Sequence, residues 1–288
     1  MNFIQFARAH GIDIDNSKFF QSDRIKRCGT VDKPNSGNGA YFWDGQRGWV
    51  MDWSGEAKVI WFEDPNATPW TDQEKRDWAN KRKEQTALQT DSYNRVARQA
   101  EVALRAATLE THPYLSYKGF EEEKGLVSGE KLLIPMRNVT DNALQGYQQI
   151  YYDKNARQYD KKMLVGMRAK NAVFRLGAKS KESWLVEGYA TGLSVYKALR
   201  SCGQSSSVIV CFSASNMINV ADQVSGRVMI FADNDVSGVG QNAAISTGKP
   251  WTMPDTVGMD ANDLHVKDGL FSVVSKIMGV LTTPISAV

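Results

Sequence analysis

Asp233 and Asp235 stand one residue apart at the end of the apolar run "RVMIFA". In an extended strand, residues i and i+2 leave the same face, so these carboxylates would be neighbours. Neighbouring carboxylates repel unless a cation or a proton lies between them. Two further acidic groups accompany the pair: Glu187, followed by Gly188, after "SWLV", and Asp260 with Asp263 in "GMDANDL". None of these short motifs contains a histidine or cysteine. Hard oxygen donors without sulfur or nitrogen suit Mg²⁺ or Mn²⁺, which keep water ligands for substrate phosphates. Such a cluster is what two-metal phosphoryl transfer needs, to clamp attacking and leaving oxygens.

Each piece also has a plainer reading. A Glu-Gly after a strand is common, and "DANDL" is an ordinary helix start with Asp260 as its cap. Asp-x-Asp-x-Ser-Gly can open an EF-hand loop, but position twelve counted from Asp233 is Ala244 rather than Glu. The spacing also occurs where an aspartate is the nucleophile of a haloacid-dehalogenase-type phosphatase. That strand comes early in its domain, whereas about fifty residues follow it here.

The elements around the acids give them a common place. "SWLVE", "SVIVCF" and "RVMIFA" read as continuous apolar strands. "GYATGLSVYKALRSCG" and "ASNMINVADQV" lie between them and read as helices. Apolar strands alternating with helices predict a parallel sheet covered on both faces. Ligands in such sheets bind at the carboxyl ends of the strands, which puts Glu187 and Asp233 on one rim.

Upstream, "KLLIPMRN" and "ALQGYQQIYYD" read as two strands about a D-N turn, followed by a basic loop and "NAVFRLG". From 154 to 181 the cations are Lys154, Arg157, Lys161, Lys162, Arg168, Lys170, Arg175, Lys179 and Lys181, against Asp160 alone. The whole chain carries a net charge of only +3, so the remainder is net acidic. A basic run is usually a solvated face. Interleaved with Tyr147, Tyr151, Tyr152, Tyr159 and Phe174, it equally fits a nucleic-acid groove.

Nearer the start, "GNGAYFWDGQRGWVMDWSGEAKVIWF" reads as a β-meander of three strands broken at D-G and S-G. A helix, or two in series, is expected from Thr71, whose spacing to Glu74 fits a capping box. Its charged face reads as solvated. These features divide the chain into a β-rich module (1–70), a helical linker (71–110), a basic subdomain (111–182), a parallel-sheet domain (183–275) and a tail (276–288).

The 288 residues are 42% hydrophobic and 23% charged, ordinary for a soluble globular protein. Cys28, Cys202 and Cys211 form no C-x-x-C, and His10, His112 and His265 form no zinc-binding pair, so zinc is not expected. With no signal peptide and no apolar run of about 20 residues, the expectation is a soluble protein of the cytoplasm.

Taken together and in this order, the acidic motifs resemble those of the Toprim domain shared by bacterial-type primases, topoisomerases and some nucleases. "WLVEGYATGLS" is similar to its Glu-Gly motif, "MIFADNDVSGVGQNAA" to its Asp-x-Asp motif, and "GMDANDL" to its third acidic stretch. Within the family, the likeness is to DnaG-like primases of phages and plasmids. "HPYLSYKGF" resembles their Tyr-Leu-x-x-(Arg/Lys)-Gly stretch, and "LLIPMRNVTDNALQGYQQIYYD" resembles their Ile-Pro-x-Arg-Asp hairpin. "KKMLVG" and "FRLG" are similar to the segments after that hairpin. The resemblance implies an α/β fold: a Rossmann-like Toprim sheet preceded by a mixed α+β basic subdomain.

It also implies synthesis of short RNA primers from ribonucleoside triphosphates on single-stranded DNA in a bacterial host cell. By that likeness Glu187, Asp233, Asp235, Asp260 and Asp263 would hold Mg²⁺ or Mn²⁺. Glu187, Asp233 and Asp235 would act in catalysis, with Glu187 a further ligand or the base. Arg137, Lys161, Lys162, Arg168, Lys170 and Arg175 would hold template or triphosphate phosphates. Such primases usually start with a Cys/His zinc ribbon. Here only Cys28 occupies that region, so a homologous ribbon would lack its metal. Aromatic packing would then hold it, with Trp43, Trp49, Trp53 and Trp61 mainly in the core and one or two of them exposed for stacking on bases.

A Toprim nuclease would use the same acids to cleave. A topoisomerase needs a tyrosine nucleophile on a further domain, and a non-catalytic single-stranded-DNA-binding or replisome module would keep only the fold. No G-x-x-x-x-G-K-(S/T) is present, so a primase would need a separate helicase or other replication partner.

Overall fold

The computed structural model describes residues 1–53, 58–62 and 71–282. The chain forms two compact units, Met1–Arg82 and Lys83–Val288. In the first, α1 (Phe3–Ala9) is followed by β1 (Ile12–Asp13), β2 (Ser22–Thr30), β3 (Gly39–Trp43), β4 (Gly48–Asp52) and β5 (Ile60–Phe62). The strands form one antiparallel sheet in sequence order. The expected meander is therefore its last three strands. Residues before Gly39 add two strands and a helix that the turn-and-aromatic pattern does not announce. Asn2 and Gln5 start that helix with a reciprocal capping box.

The aromatic core of this unit is built on phenylalanines and a tyrosine, and two of those four tryptophans are exposed, as the expectation allowed. Phe3, Phe6, Tyr41 and Phe62 are buried, and Phe3 stacks on Trp43 with centroids 4.6 Å apart. Trp43 and Trp49 are half-buried, whereas Trp53 and Trp61 are each 52% exposed. Strand alternation explains the difference, because Tyr41 on β3 and Phe62 on β5 face α1 and neighbours such as Trp61 face away. Burial, with Asp13 adding to it, pushes the Cys28 thiol up to about 11.

A single helix, α2 (Asp72–Ala106), runs through the boundary at 82/83. Its expected capping partner Glu74 has a side chain outside the described set. Beyond it come β6 (Thr108–Glu110), α3 (Pro113–Tyr117), β7 (Gly125–Ser128), β8 (Lys131–Asn138), β9 (Leu144–Asp153), β10 (Gln158–Met163) and β11 (Ala172–Leu176). The alternating part continues with β12 (Glu182–Val186), α4 (Tyr189–Ser201), β13 (Ser207–Val210), α5 (Ala214–Ala221) and β14 (Arg227–Phe231). It ends with α6 (Val239–Ser246), β15 (Trp251–Thr252), α7 (Ala261–Asp268) and α8 (Leu270–Thr282), so the segment expected as a tail from 276 begins as helix.

The second unit is organised on one continuous ten-stranded sheet whose main path is β10-β9-β8-β11-β13-β12-β14-β15. β11 joins its halves, pairing antiparallel with β8 and with β13. The basic segment and the parallel part thus share a sheet instead of standing as separate layers. β13, β12, β14 and β15 are parallel. Side-chain alternation along β12 feeds both faces. Trp184 and Val186 pack with α4, α7 and α8, while Leu185 packs with α5 and α6. All three are fully buried, worth about 1.5–3 kcal/mol each for the aliphatic pair. Among the described residues no helix is long and apolar enough to cross a membrane.

Candidate active site

The parallel strands end together, and the backbone ties their ends. The amides of Cys211 and Phe212 donate to the carbonyls of Val186 and Glu187 at 2.8 and 2.9 Å. Glu187 leaves β12 directly before Gly188, the cap of α4. Asp233 lies two residues past β14. The next residue, Asn234, bridges to Met259, and its side-chain amide donates to the carbonyls of Pro254 (2.9 Å) and Asp255 (3.4 Å). Asn234 therefore anchors the loop that delivers Asp260. Strand alternation turns it away from both acids, which is why a search for charged residues passes over it.

The two aspartates of the pair are treated oppositely. Asp235 accepts hydrogen bonds from Ser237 Oγ and, at 3.0 Å, from the Gly240 amide. Those donors hold its carboxyl below the usual range. It serves as the missing side-chain cap of α6, whose N-cap is Gly238 in the left-handed region (φ 70°). Gly240 is required because a Cβ there would collide with the Asp233 carbonyl oxygen. Asp233 has no such help. Its Oδ1 is shielded from solvent and has no hydrogen-bond partner among the described residues. Burial, then Asp260 and Glu187, push its carboxyl up to about 8, with Lys161 opposing. Glu187 is raised by burial and by Asp235.

Asp260 and Asp263 form a reciprocal capping box at the start of α7. Asp260 accepts from the amides of Asn262 and Asp263 at 2.7 and 2.9 Å. The plain reading of "DANDL" as a helix start thus holds locally. Asp263 also lies 3.7 Å from Lys118, and buried Asn262 donates to the Lys118 carbonyl at 2.9 Å. The "HPYLSYKGF" segment is thereby fastened to α7. Lys118 belongs to the site although counting cations between 154 and 181 missed it; its position after Tyr-Leu-x-x was the available signal.

The six proposed cations separate. Lys161 reaches the acids: burial and Lys118 lower its pKa, while Asp260, Asp233 and Asp263 oppose that. Its ammonium sits 5.9 Å from the Tyr114 ring, and the buried Tyr114 hydroxyl has no hydrogen-bond partner among the described residues. Lys162, on the other face of β10, is bound to Asp160 (2.8 Å) and the Tyr151 hydroxyl (2.8 Å). Arg175 donates to Ser207 at 2.9 Å, at the start of β13 and so at the opposite end of the parallel strands from the acids. Arg137 bonds the Asn142 carbonyl within its own hairpin. Arg168 and Lys170 are exposed in the loop before β11.

Among the described residues, no three His, Cys, Asp or Glu side chains converge closely enough to hold a metal ion as they stand. The chemistry of the donors fits one nonetheless. They are hard oxygens, and the unpartnered Asp233 Oδ1 is a buried acceptor with nothing to accept from.

Residues 182–270 match the Toprim domain family. No curated protein matches the chain. Among solved structures, the one described as the DnaG catalytic core matches at 15% identity with a TM-score of 0.36, covering 67% of this chain and 72% of that chain. The matched stretch contains Glu187, Asp233, Asp235, Asp260 and Asp263.

Proposed function

We propose that this Toprim protein is a primase-type nucleotidyltransferase, joining ribonucleotides into short primers on single-stranded DNA. One observation carries the reading beyond the Toprim domain: Lys161, from the basic antiparallel half, sits 5.9 Å from the Tyr114 ring, near enough to Glu187, Asp233 and Asp260 for their charges to act on one another. A domain that only needed the acids would not require a cation brought near them by a second set of strands. Glu187, Asp233 and Asp260 would hold Mg²⁺ or Mn²⁺, with Asp235 and Asp263 flanking. A bound ion would neutralise a triphosphate and stabilise charge on attacking and leaving oxygens.

The side chains themselves divide the work. Lys161 and Lys118 would hold phosphates as point charges. Glu187, its carboxyl raised by burial and by Asp235, is suited to take the proton of an attacking hydroxyl. Asp235, fixed by Ser237 and Gly240, stays ionised and keeps the turn in place. The substrates would be single-stranded DNA and ribonucleoside triphosphates in the cytoplasm of a bacterial host, with a separate helicase or replication protein as partner.

Incubation with single-stranded DNA, labelled ribonucleoside triphosphates and Mg²⁺ or Mn²⁺ tests the reading, run beside Asp233→Asn. Short RNA from the wild type alone is expected. Cleavage of a labelled strand without synthesis favours the nuclease, and equal synthesis by the variant overturns the mechanism.

A further inference from the structure

Next to the acidic rim lies a group of aromatic rings that the chemistry above does not use. Tyr159 on β10 stands opposite Tyr152 on β9, on the same sheet face as Lys161. Its ring is 5.2 Å from Tyr114, 5.4 Å from Tyr152 and 5.5 Å from Tyr117. Tyr114 is buried, but Tyr117 and Tyr152 are 69% and 47% exposed. A cleft of about 610 Å³ opens beside them, with His112, Val127, Tyr152 and Tyr159 in its wall and Glu130 and Lys154 among its polar groups. Single exposed aromatic residues are ordinary on a protein surface. A contiguous set beside a cleft, with lysines close by, is not.

The charges indicate the occupant. Lys154 lines the cleft, 3.9 Å from Glu130, while Lys118 and Lys161 lie 5.7 and 5.9 Å from the rings of Tyr117 and Tyr114, on the side of the acids. Lysine ammoniums along such a set suit a chain of phosphates, and rings among them suit bases, since every base has a π-face. The carboxylates lining the cleft, Glu110 and Glu130, would repel a phosphate but can accept hydrogen bonds from the N–H groups of a base edge.

We propose that this cleft receives an unpaired base of a nucleic-acid strand that runs from the acidic rim toward Lys154. Tyr152, in the cleft wall, is the stacking surface for that base, and Tyr117, against Tyr159 but outside the cleft, is one for its neighbour. This rests on the nucleic-acid reading above and adds residues that it does not contain. Both tyrosines are exposed, so removing either ring leaves the core intact.

The test is fluorescence anisotropy in EDTA with labelled (dT)20 and (rU)20, and with a 20-unit abasic strand that keeps the phosphates and lacks bases. Stacking is worth about 1–3 kcal/mol per base, so Tyr152→Ala should weaken (dT)20 or (rU)20 binding roughly 5- to 100-fold. Tyr152→Phe should bind like the wild type, and the abasic strand should not distinguish any of them. Which of the two polymers binds tighter identifies the strand as DNA or RNA. Equal binding of (dT)20 and (rU)20 by wild type and Tyr152→Ala, or an equal loss on the abasic strand, overturns the proposal. Displacement by free UTP with no strand binding also overturns it, in favour of a mononucleotide site. Primer synthesis, measured separately, decides the primase reading. Synthesis that survives Tyr152→Ala with unchanged binding sinks only the cleft, and strand binding without synthesis sinks only the primase.

Discussion

At the amino ends of the parallel strands, buried polar groups are turned on one another. Arg175 donates to Ser207, Ser207 shares a 2.9 Å hydrogen bond with Ser183, and Glu182 pairs with Arg227 at 3.5 Å while accepting from Ser206. At the carboxyl ends of the same strands, Glu187 and Asp233 are crowded by further acids, and Asp233 Oδ1 has no partner among the described residues. One sheet thus carries paired polar groups, Glu182 and Arg227 of opposite charge, at one end, with Arg227 Nε left over among the described residues, and crowded like charges at the other. A buried carboxyl group crowded by like charges costs stability in the free protein and persists where a ligand offsets that cost. The contrast in charge, rather than an unpartnered atom alone, sets the carboxyl end apart.

Asp233→Asn gives the largest expected effect. An amide cannot replace a metal-holding carboxylate, so primer synthesis should fall by about 100-fold or more. The same change removes a buried acid that folding holds largely protonated at neutral pH, where the unfolded chain would ionise it. In EDTA at neutral pH the variant should gain roughly 1 kcal/mol and melt about 2–4 °C higher than the wild type. Mg²⁺ should raise the wild-type melting temperature and leave that of the variant unmoved, because only a state that binds the ion is stabilised by it. Differential scanning fluorimetry reads both. A variant that melts lower in EDTA, or responds to Mg²⁺ as the wild type does, removes the contrast between the two strand ends.

How much of this was legible in the sequence depends on the physical signal that each element leaves there. The parallel half was readable because buried strands appear as unbroken apolar runs, and "SWLVE", "SVIVCF" and "RVMIFA" meet β12, β13 and β14 within a residue or two. The rim followed from the rule that ligands bind at strand ends. Charge alone could not separate Lys161 from Lys162, since adjacent strand residues face opposite ways and only the pairing with β9 says which face is which. Nor could it place Arg175, because the closeness of Ser207 depends on a β11–β13 pairing that joins the two halves. Asn234 carries no charge, and its role lies in carbonyls twenty residues away. At the start of the chain, α1 was passed over for the aromatic meander, although the Asn2–Gln5 capping pair marks it.

Asn234 offers the next largest effect and sharpens the comparison from the other side. Asn234→Ala leaves the carbonyls of Pro254 and Asp255 without their donor, at a cost of about 1–3 kcal/mol. It should melt lower than the wild type in EDTA, opposite in sign to Asp233→Asn. Synthesis should drop by roughly 10- to 100-fold, as for other residues that orient metal-holding groups. Higher Mg²⁺ should recover part of that loss, because the carboxylates remain. Recovery in a Mg²⁺ titration separates Asn234, which positions the loop to Asp260, from Asp233, which would hold the ion. Loss of melting temperature with full synthesis at ordinary Mg²⁺ would assign Asn234 to stability alone.

The smallest effects are expected at two cations that sequence reasoning assigned to nucleic acid. Arg175 is half-buried, its pKa is lowered by that burial, and its guanidinium is spent on Ser207. Arg175→Ala loosens the paired end of the sheet by leaving Ser183 and Ser207 to each other, at about 1 kcal/mol in stability. Primer synthesis should stay within about 2-fold, since the acids lie at the other ends of the strands. Lys162 is held by Asp160 and Tyr151 on the sheet face away from Lys161, so Lys162→Ala should also stay within about 2-fold in synthesis. Lys161→Ala, one residue along and facing the acids, should instead lose synthesis together with the phosphate contact it supplies. The pair 161/162 therefore tests face rather than charge, because the two residues match in type, strand and sequence neighbourhood. If both variants lose activity equally, the basic segment acts as a diffuse field, and the proposed contact from Lys161 is wrong.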